Sequence, residues 1–178
     1  MKWSIFVLLA LTLFAVGSFG QGHSSHGDSS STTRVDLGQI SFPNSGPDAA
    51  QKSFIEGVLL LHSFEYGRAR KSFQEASRIA PDFALAYWGE AMTHDHRIWG
   101  EQNQKAALEA LARLAPTAAE RRAKAPTERE KLYLDAVEQL FVDGEKNEIA
   151  RRYSNALGEL TRRFPDDVEA QAFYALSI

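Results

Sequence analysis

Four side chains that could bind a metal ion or transfer a proton lie in one part of the sequence: His62, Glu90, His94 and His96. Glu90 and His94 are four residues apart, so on a helix they share one face, a spacing that can chelate a divalent ion. A working site would need a third ligand and outer hydrogen bonds that orient each imidazole. The sequence leaves two alternatives: a metal-binding or enzymatic cluster, or, as we favour, ordinary turn and groove residues.

The other residues that could do chemistry predict no reaction. His23 and His26 are three residues apart and could bind a metal weakly, but a solvated polar chain is expected there. We find no Gly-x-Ser-x-Gly nucleophile motif, no phosphate-binding glycine loop and no His-Glu-x-x-His pair. The absence of cysteine excludes disulfides, thiolate ligands and a cysteine nucleophile. We predict that the protein is not an enzyme and holds no cofactor and no metal.

The composition indicates one globular domain and a leader. The 178 residues are 44% hydrophobic and 24% charged, which suits an ordinary soluble core. The net charge of -3 is too weak to indicate nucleic acid or an anionic membrane as a partner. The basic run at residues 121–124 is expected to be solvated helix surface and not a binding patch.

Residues 1–20 have the pattern of an export signal. Lys2 gives the positive start, an apolar run follows, and Ser18 and Gly20 are small residues at the positions that precede cleavage. We predict cleavage after Gly20 and an exported protein, periplasmic or secreted. The alternative is a membrane anchor at residues 3–19, because an apolar run of about 17 residues is near the lower limit for spanning a bilayer.

Residues 21–47 are rich in Ser, Gly and His and predict a flexible linker, because they cannot bury enough apolar surface to offset chain entropy. Within them, residues 35–42 alternate weakly and could form an extended segment that packs on the domain edge. Pro43 and Pro47 then interrupt the chain before the first helix.

From Asp48 onward the apolar residues recur at helical spacing. We expect a turn at Gly67, a second helix over residues 69–80, and Asp82 as the N-cap of the third helix. The later helices are expected at residues 83–92, around 106–114, after the Thr127-x-x-Glu130 capping box, at 146–163 and from 168 onward, with a charged helical connector at 117–125.

Five small or bulky residues in the first two helices have a distinctive spacing. They are Gly57, Ala69, Phe73, Ala76 and Pro81, separated by 12, 4, 3 and 5 residues. The small residues allow close approach of two backbones, Phe73 and Ala76 share the packing face, and Pro81 ends the second helix. This spacing resembles the tetratricopeptide repeat, a 34-residue helix–turn–helix unit.

The resemblance covers residues 48–178, although the later units are degenerate. Trp88 follows Phe54 by 34 residues, and His96 follows His62 by 34, whereas the second and third units fit only with extra loop residues. The resemblance implies an all-α, tetratricopeptide-like solenoid of about three to four repeats, with an unrelated helical bundle as the alternative. Because the pattern stops inside a helix, we expect a truncated repeat domain.

The resemblance also implies a function. In such repeat proteins the first helix of each unit lines a concave groove that binds a protein or peptide partner. Carried over to this sequence, the groove residues are Phe54, Val58, His62, Leu85, Trp88, Met92 and His96. Trp88 is the favoured contact residue, because tryptophan is enriched in binding hot spots; Phe54, Val58 and Leu61 could instead be core residues.

We therefore predict an exported scaffold that binds a protein or peptide, with no nucleic acid partner and no membrane contact beyond the leader or anchor. The alternatives are a metal-binding or enzymatic protein, and the repeat region of a longer protein.

Overall fold

The computed structural model describes residues 37–178, in which eight α-helices and one short β-hairpin are present. In chain order the helices are α1 (Asp48–His62), α2 (Tyr66–Ile79), α3 (Ala84–Met92), α4 (Gln104–Leu114), α5 (Ala118–Lys124), α6 (Glu128–Leu140), α7 (Lys146–Arg163) and α8 (Val168–Ser177). Strands β1 (Asp95–His96) and β2 (Glu101–Gln102) pair antiparallel around a 3-10 turn at Arg97–Trp99. The all-α prediction is confirmed for the described residues.

The predicted signal peptide at residues 1–20 lies outside the described part of the chain, as do His23 and His26 of the predicted linker at residues 21–47. At the described end of that linker, Phe42 is buried in the hydrophobic core. Among the described helices, none combines the length and the apolar character that crossing a membrane requires.

Helix α3 is the centre of the fold. It packs against α1, α2, α4 and α6, and α6 packs in turn against α5 and α7. Helix α8 packs against α7. The consecutive helices that pack include three pairs, α1–α2, α3–α4 and α6–α7; α2–α3, α5–α6 and α7–α8 pack as well, and one continuous apolar core runs between the helices.

Helices α1 and α3 both pack closely against the Phe73 side chain of α2. A Cβ atom added to Gly57 would lie 2.8 Å from the Phe73 ring, and one added to Gly89 would lie 2.2 Å from it. Such distances are shorter than carbon atoms tolerate, so the helices approach this closely only because both residues lack a side chain. The close approach predicted at Gly57 is present, and Gly89 provides a second one that the sequence analysis did not identify.

The turn between α1 and α2 comes earlier than predicted. The chain reverses at residues 63–65, where Phe64 has a φ of 59°, in the left-handed region. Gly67 already lies in the first turn of α2. The turn is closed by backbone hydrogen bonds from Phe64 N to Leu61 O and from Glu65 N to Leu60 O, at 3.0 and 2.9 Å.

The predicted N-cap at Asp82 is wrong. Helix α3 begins one residue after Phe83, which takes the N-cap position without a side-chain hydrogen bond. The Asp82 carboxylate instead accepts a hydrogen bond from Lys124 Nζ at 2.7 Å. Phe83 is buried, with its ring centroid 4.9 Å from that of Phe54. Apolar packing and not a polar cap therefore fixes the start of α3.

Residues 117–125 contain helix α5, and one of its basic side chains is internal. Arg121 is buried and donates to both carboxylate oxygens of Glu138, at 2.6 and 2.9 Å. It also donates to the carbonyl oxygens of Ala115 and Pro116 at the end of α4. The prediction of solvated surface is therefore wrong for Arg121, which joins α4, α5 and α6.

Candidate functional site

One aromatic side chain from each of four helices lies in the hydrophobic core; those of α3, α6 and α8 contact one another, and that of α1 is joined to them through Phe42. The four side chains are Phe54 of α1, Trp88 of α3, Tyr133 of α6 and Phe173 of α8. The Trp88 ring is 5.1 Å from that of Tyr133 and 5.4 Å from that of Phe173, both in edge-to-face contact. Such contacts add about 0.5–1.5 kcal/mol beyond area burial, because positive ring edges meet negative faces. The four helices thus share one aromatic surface.

Residues 37–47, which we call the N-terminal segment, fill one side of this surface. The segment has neither helix nor strand, and its Phe42 side chain is buried. The Phe42 ring centroid lies 5.3 Å from Phe54, 5.8 Å from Trp88 and 5.3 Å from Tyr133. We call the rings of Phe54, Trp88 and Tyr133 the aromatic seat.

Two consecutive charged residues of α6 hold the backbone of the N-terminal segment. The Arg129 guanidinium lies 4.5 Å from the Phe42 ring centroid and donates to the Pro43 carbonyl. Glu130 Oε1 accepts hydrogen bonds from Ser45 N and Ser45 Oγ, each at 2.7 Å. Glu130 is only 1% exposed, and a buried carboxylate needs donors that replace its lost water. The segment supplies two of them.

Phe173 also lines an open cleft. The lining comes from α1, α2, α3, the hairpin, α7 and α8, and consists of Leu61, His62, Phe64, Tyr66, Met92, Asp95, Arg97, Ile98, Tyr153, Phe173 and Leu176. Most of these side chains are apolar. The cleft therefore offers a concave apolar wall with a few polar groups, the usual composition of a site that binds an apolar side chain.

Three aromatic rings stand at the mouth of the open cleft: Phe64, Tyr66 and Trp99, which we call the aromatic rim. The Trp99 ring lies 5.8 Å from Phe64 and 5.9 Å from Tyr66, edge-on to both. Trp99 is 57% exposed, Phe64 is 40% exposed, and the adjacent Ile98 is 60% exposed. A cluster of exposed large apolar side chains is typical of an interaction surface.

The local backbone holds the aromatic rim in place. Phe64 lies in the left-handed turn that ends α1, and Tyr66 begins α2. Trp99 ends the 3-10 turn and is followed by Gly100 at a φ of 66°, which glycine adopts without steric strain. The pairing of β1 with β2 closes this loop. The rings are thus positioned by turns, although they are not buried.

The four candidate metal ligands make separate contacts. His62 Nε2 lies 2.5 Å from Glu169 Oε2, and Glu90 is buried beside the guanidinium of Arg113, to which it is hydrogen-bonded. Over residues 37–178, no group of three or more His, Asp or Glu side chains is arranged to hold a metal ion. The arrangement that the cluster hypothesis requires is therefore not formed in the described part of the chain.

His94 is buried directly after the end of α3. It lines a small polar pocket with Arg70, His96 and Asn103. Burial, followed by the positive charges of Arg70, His96 and Arg113, lowers the pKa of His94 from 6.5 to about 4. His94 is therefore neutral at neutral pH.

The predicted groove residues lie in two environments. Those buried in the core are Phe54, Val58, Leu85 and Trp88. His62 and Met92 line the open cleft, and His96 stacks on Tyr66 at a centroid distance of 4.1 Å. The rings of Phe54 and Trp88 contact the Phe42 ring of the N-terminal segment, so what they bind is part of the chain itself.

Sequence patterns did not identify as site residues the side chains that complete the aromatic seat and the aromatic rim beside the cleft: Phe42, Phe64, Tyr66, Trp99, Arg129, Glu130, Tyr133 and Phe173. Tyr133 could have been found, because it lies three residues before the small residue Ala136, as Trp88 lies before Ala91. Phe42 has no such signal, since its surroundings have the composition of a linker.

Comparison with known proteins gives no assignment for these surfaces. No protein-family model, no curated protein and no solved structure matches the chain. The functional conclusion depends on the geometry of residues 37–178.

Proposed function

We propose that the chain is an exported, tetratricopeptide-like repeat scaffold that binds a protein or peptide partner on the face that includes α1, α3 and α8, where the open cleft lies. The proposal is supported by the three packed helix pairs, whose first helices contact one another in the series α1, α3, α6. Each of these first helices carries one ring of the aromatic seat three residues before a small residue: Gly57, Ala91 or Ala136. No reaction is part of this proposal.

The exposed aromatic rim beside the open cleft is the observation that carries the proposal. Exposing Phe64, Ile98 and Trp99 together is unfavourable in a folded monomer, because removing each apolar side chain from water would stabilise the protein. Aromatic residues are also enriched in binding hot spots. Because backbone turns already position these rings, a partner would lose little conformational entropy in ordering them.

In the proposed complex, an apolar side chain of the partner packs against the aromatic rim and over the open cleft, whose cavity volume is about 60 Å³. The polar wall of the cleft then orients the partner. Arg97 Nε lies 3.2 Å from Asp95 Oδ2, and the guanidinium stands 4.9 Å from the ring centroid of Tyr153. This ion pair is therefore held in place before binding and can contact partner backbone at the cleft edge.

Selection of a displayed peptide library on the immobilised chain tests the proposal. We expect enriched peptides to carry aromatic or large aliphatic residues. We expect Trp99→Ala and Phe64→Ala each to weaken binding of those peptides about tenfold or more, equivalent to about 1.4 kcal/mol.

Leu108→Ala is the matched control, because Leu108 is an exposed apolar residue of α4 that does not line the cleft. Binding that falls equally in the Leu108 variant and the two rim variants would contradict the proposal, as would a library that yields no enriched peptide.

A further inference from the structure

We propose that the N-terminal segment is a ligand held in cis, and that the site it fills accepts in trans an extended peptide that carries an aromatic side chain. The inference rests on the proposed function and names a ligand class for a second position on the same helix face. It is carried by the contacts of Phe42, Pro43 and Ser45 with α1, α3 and α6.

The apolar half of the site is the aromatic seat with Arg129 above it. The Phe42 ring meets one ring from each of three helices, edge-on to Phe54 at an interplanar angle of 80°. Arg129 completes the enclosure, with its guanidinium 4.5 Å from the Phe42 ring centroid and 4.8 Å from that of Tyr133. Such an enclosure selects an aromatic ring, because aliphatic side chains lack the face that attracts a cation.

The polar half of the site contacts mainly the peptide backbone. Arg129 donates to the carbonyl of Pro43, the residue after the ring, and Glu130 accepts from the N–H of Ser45, three residues after it. The polar side-chain contacts are those of the Ser45 hydroxyl, 2.7 Å from Glu130 Oε1, and of the Asn44 amide, which exchanges two hydrogen bonds with Gln51 of α1. The recognised pattern is therefore an aromatic residue in an extended chain, with serine or threonine favoured three positions later.

If the N-terminal segment left its site, Glu130 of α6 would need new hydrogen-bond donors. Glu130 is buried, and its other oxygen accepts a hydrogen bond from Thr127 Oγ1 at 2.9 Å. Without Ser45, Glu130 Oε1 would lose both of its donors, so the vacant site would favour any ligand that brings an N–H and a hydroxyl. This requirement distinguishes a binding site from an ordinary apolar core contact.

The segment is attached in a way that permits exchange. It contributes no helix or strand, and a cavity of about 590 Å³ lies between residues 39–43 and the turn that joins α7 to α8. At its other end, Gln51 Nε2 donates to the Gly46 carbonyl at 2.6 Å, which anchors the base of the segment to α1. Asn44 also donates to the Phe42 carbonyl and to Gln51 Oε1, at 2.8 and 3.0 Å, so exchange requires that the part carrying Phe42 breaks these contacts while Gly46 stays in place.

Binding of a labelled peptide with the sequence of residues 37–47 to the full chain tests the inference. The wild-type chain should bind it weakly, because a tethered segment competes at an effective concentration in the millimolar range. The Phe42→Ala chain should bind it at least about tenfold more tightly, because the seat is vacated while Arg129 and Glu130 remain. A peptide with Phe42→Ala should bind neither chain.

Ser45→Ala in the full chain provides a second variant that leaves the aromatic core intact. It removes one hydrogen bond to Glu130, and we expect peptide binding to rise severalfold over wild type. If peptide binding to the folded Phe42→Ala chain equals that of wild type, the inference is overturned; if Phe42→Ala does not fold, equal binding to the Ser45→Ala and wild-type chains overturns it.

The test is separable from that of the proposed function. Trp99→Ala added to the Phe42→Ala chain should leave binding of the segment peptide unchanged, because Trp99 does not contact the aromatic seat in this structure. If library peptides bound the rim variants as tightly as the wild-type chain, the proposed function would be refuted, and this result for the segment peptide would not change.

Discussion

At the scale of single residues, opposite charges are used to join distant parts of the chain. Arg129 pairs with Asp167 Oδ2 at 2.7 Å while it covers Phe42, and Glu130 holds Ser45. Arg129, Asp167 and Glu130 are largely buried, so their contacts compensate for lost hydration and make the geometry specific. Such pairs fix where the N-terminal segment lies on α6.

His94 should make the protein less stable as the pH falls. Its folded-state pKa is about 4, below the ordinary 6.5, because burial and then the charges of Arg70, His96 and Arg113 oppose protonation. The unfolded chain therefore binds more protons between pH 6.5 and pH 4, and the free energy of unfolding decreases over that range. At pH 5 we expect a loss of about 2 kcal/mol relative to pH 7 from this residue.

Urea unfolding at pH 7 and pH 5 measures this loss, with His94→Gln as the comparison. The difference between the pH dependences of the two chains then reports the contribution of His94. A His94→Gln chain that loses as much stability as wild type would contradict the assignment.

The capping box shows what residue-level patterns can and cannot reveal. Thr127 does start α6, and its side chain accepts from Glu130 N, as predicted. The Glu130 carboxylate, however, bonds to Thr127 Oγ1 and to Ser45 and does not return to the cap backbone. Its partner Ser45 lies 85 residues away in sequence, so no local pattern could have identified it.

At the scale of secondary-structure elements, the close approach of α3 to α2 depends on Gly89, which has no side chain. We predict that Gly89→Ala lowers the free energy of unfolding by about 1–3 kcal/mol, because the new Cβ would overlap the Phe73 ring. Alanine has the higher helix propensity by about 1 kcal/mol, so the predicted sign is opposite to that of an exposed helix position.

Gly158→Ala is the matched control in α7. A Cβ there would lie 3.5 Å from the Tyr174 ring, an ordinary contact, so propensity should dominate and the chain should gain up to about 1 kcal/mol. Chemical denaturation of both variants checks the pair. Equal effects of the two substitutions would show that Phe73 does not limit the approach of α3.

Element boundaries were predictable where local signals set them. Helix α1 begins at Asp48, just after Pro47, and α7 covers residues 146–163 as predicted. The turn after α1 was misplaced, because Phe64 and not a glycine takes the left-handed conformation. The rim that results from this turn was therefore not visible in the sequence.

At the scale of the whole molecule, the fold presents two aromatic surfaces, one formed by α1, α3 and α6 and the other by the α1–α2 turn, the start of α2 and the hairpin. The aromatic seat is filled by the N-terminal segment, and the aromatic rim is left open beside its cleft. Phe173 connects them, because it contacts Trp88 and also lines the cleft.

The all-α architecture was predictable because it depends on helical periodicity and on local breaks at Pro81 and Pro165. The site was predictable only in part. Repeat spacing pointed to Phe54 and Trp88, but what covers them depends on Phe42, which lies in a stretch of linker composition. Contacts between segments far apart in sequence are set by tertiary packing, which a single sequence does not report.

The most direct test of the binding proposal is a titration of the isotope-labelled chain with a library-selected peptide, followed by backbone amide and indole NMR shifts. We predict the largest shifts at residues 64–66 and 97–99 and at the Trp99 indole, with α5 unchanged. Shifts confined to α4 and α5, or no shift at saturating peptide, would contradict the account.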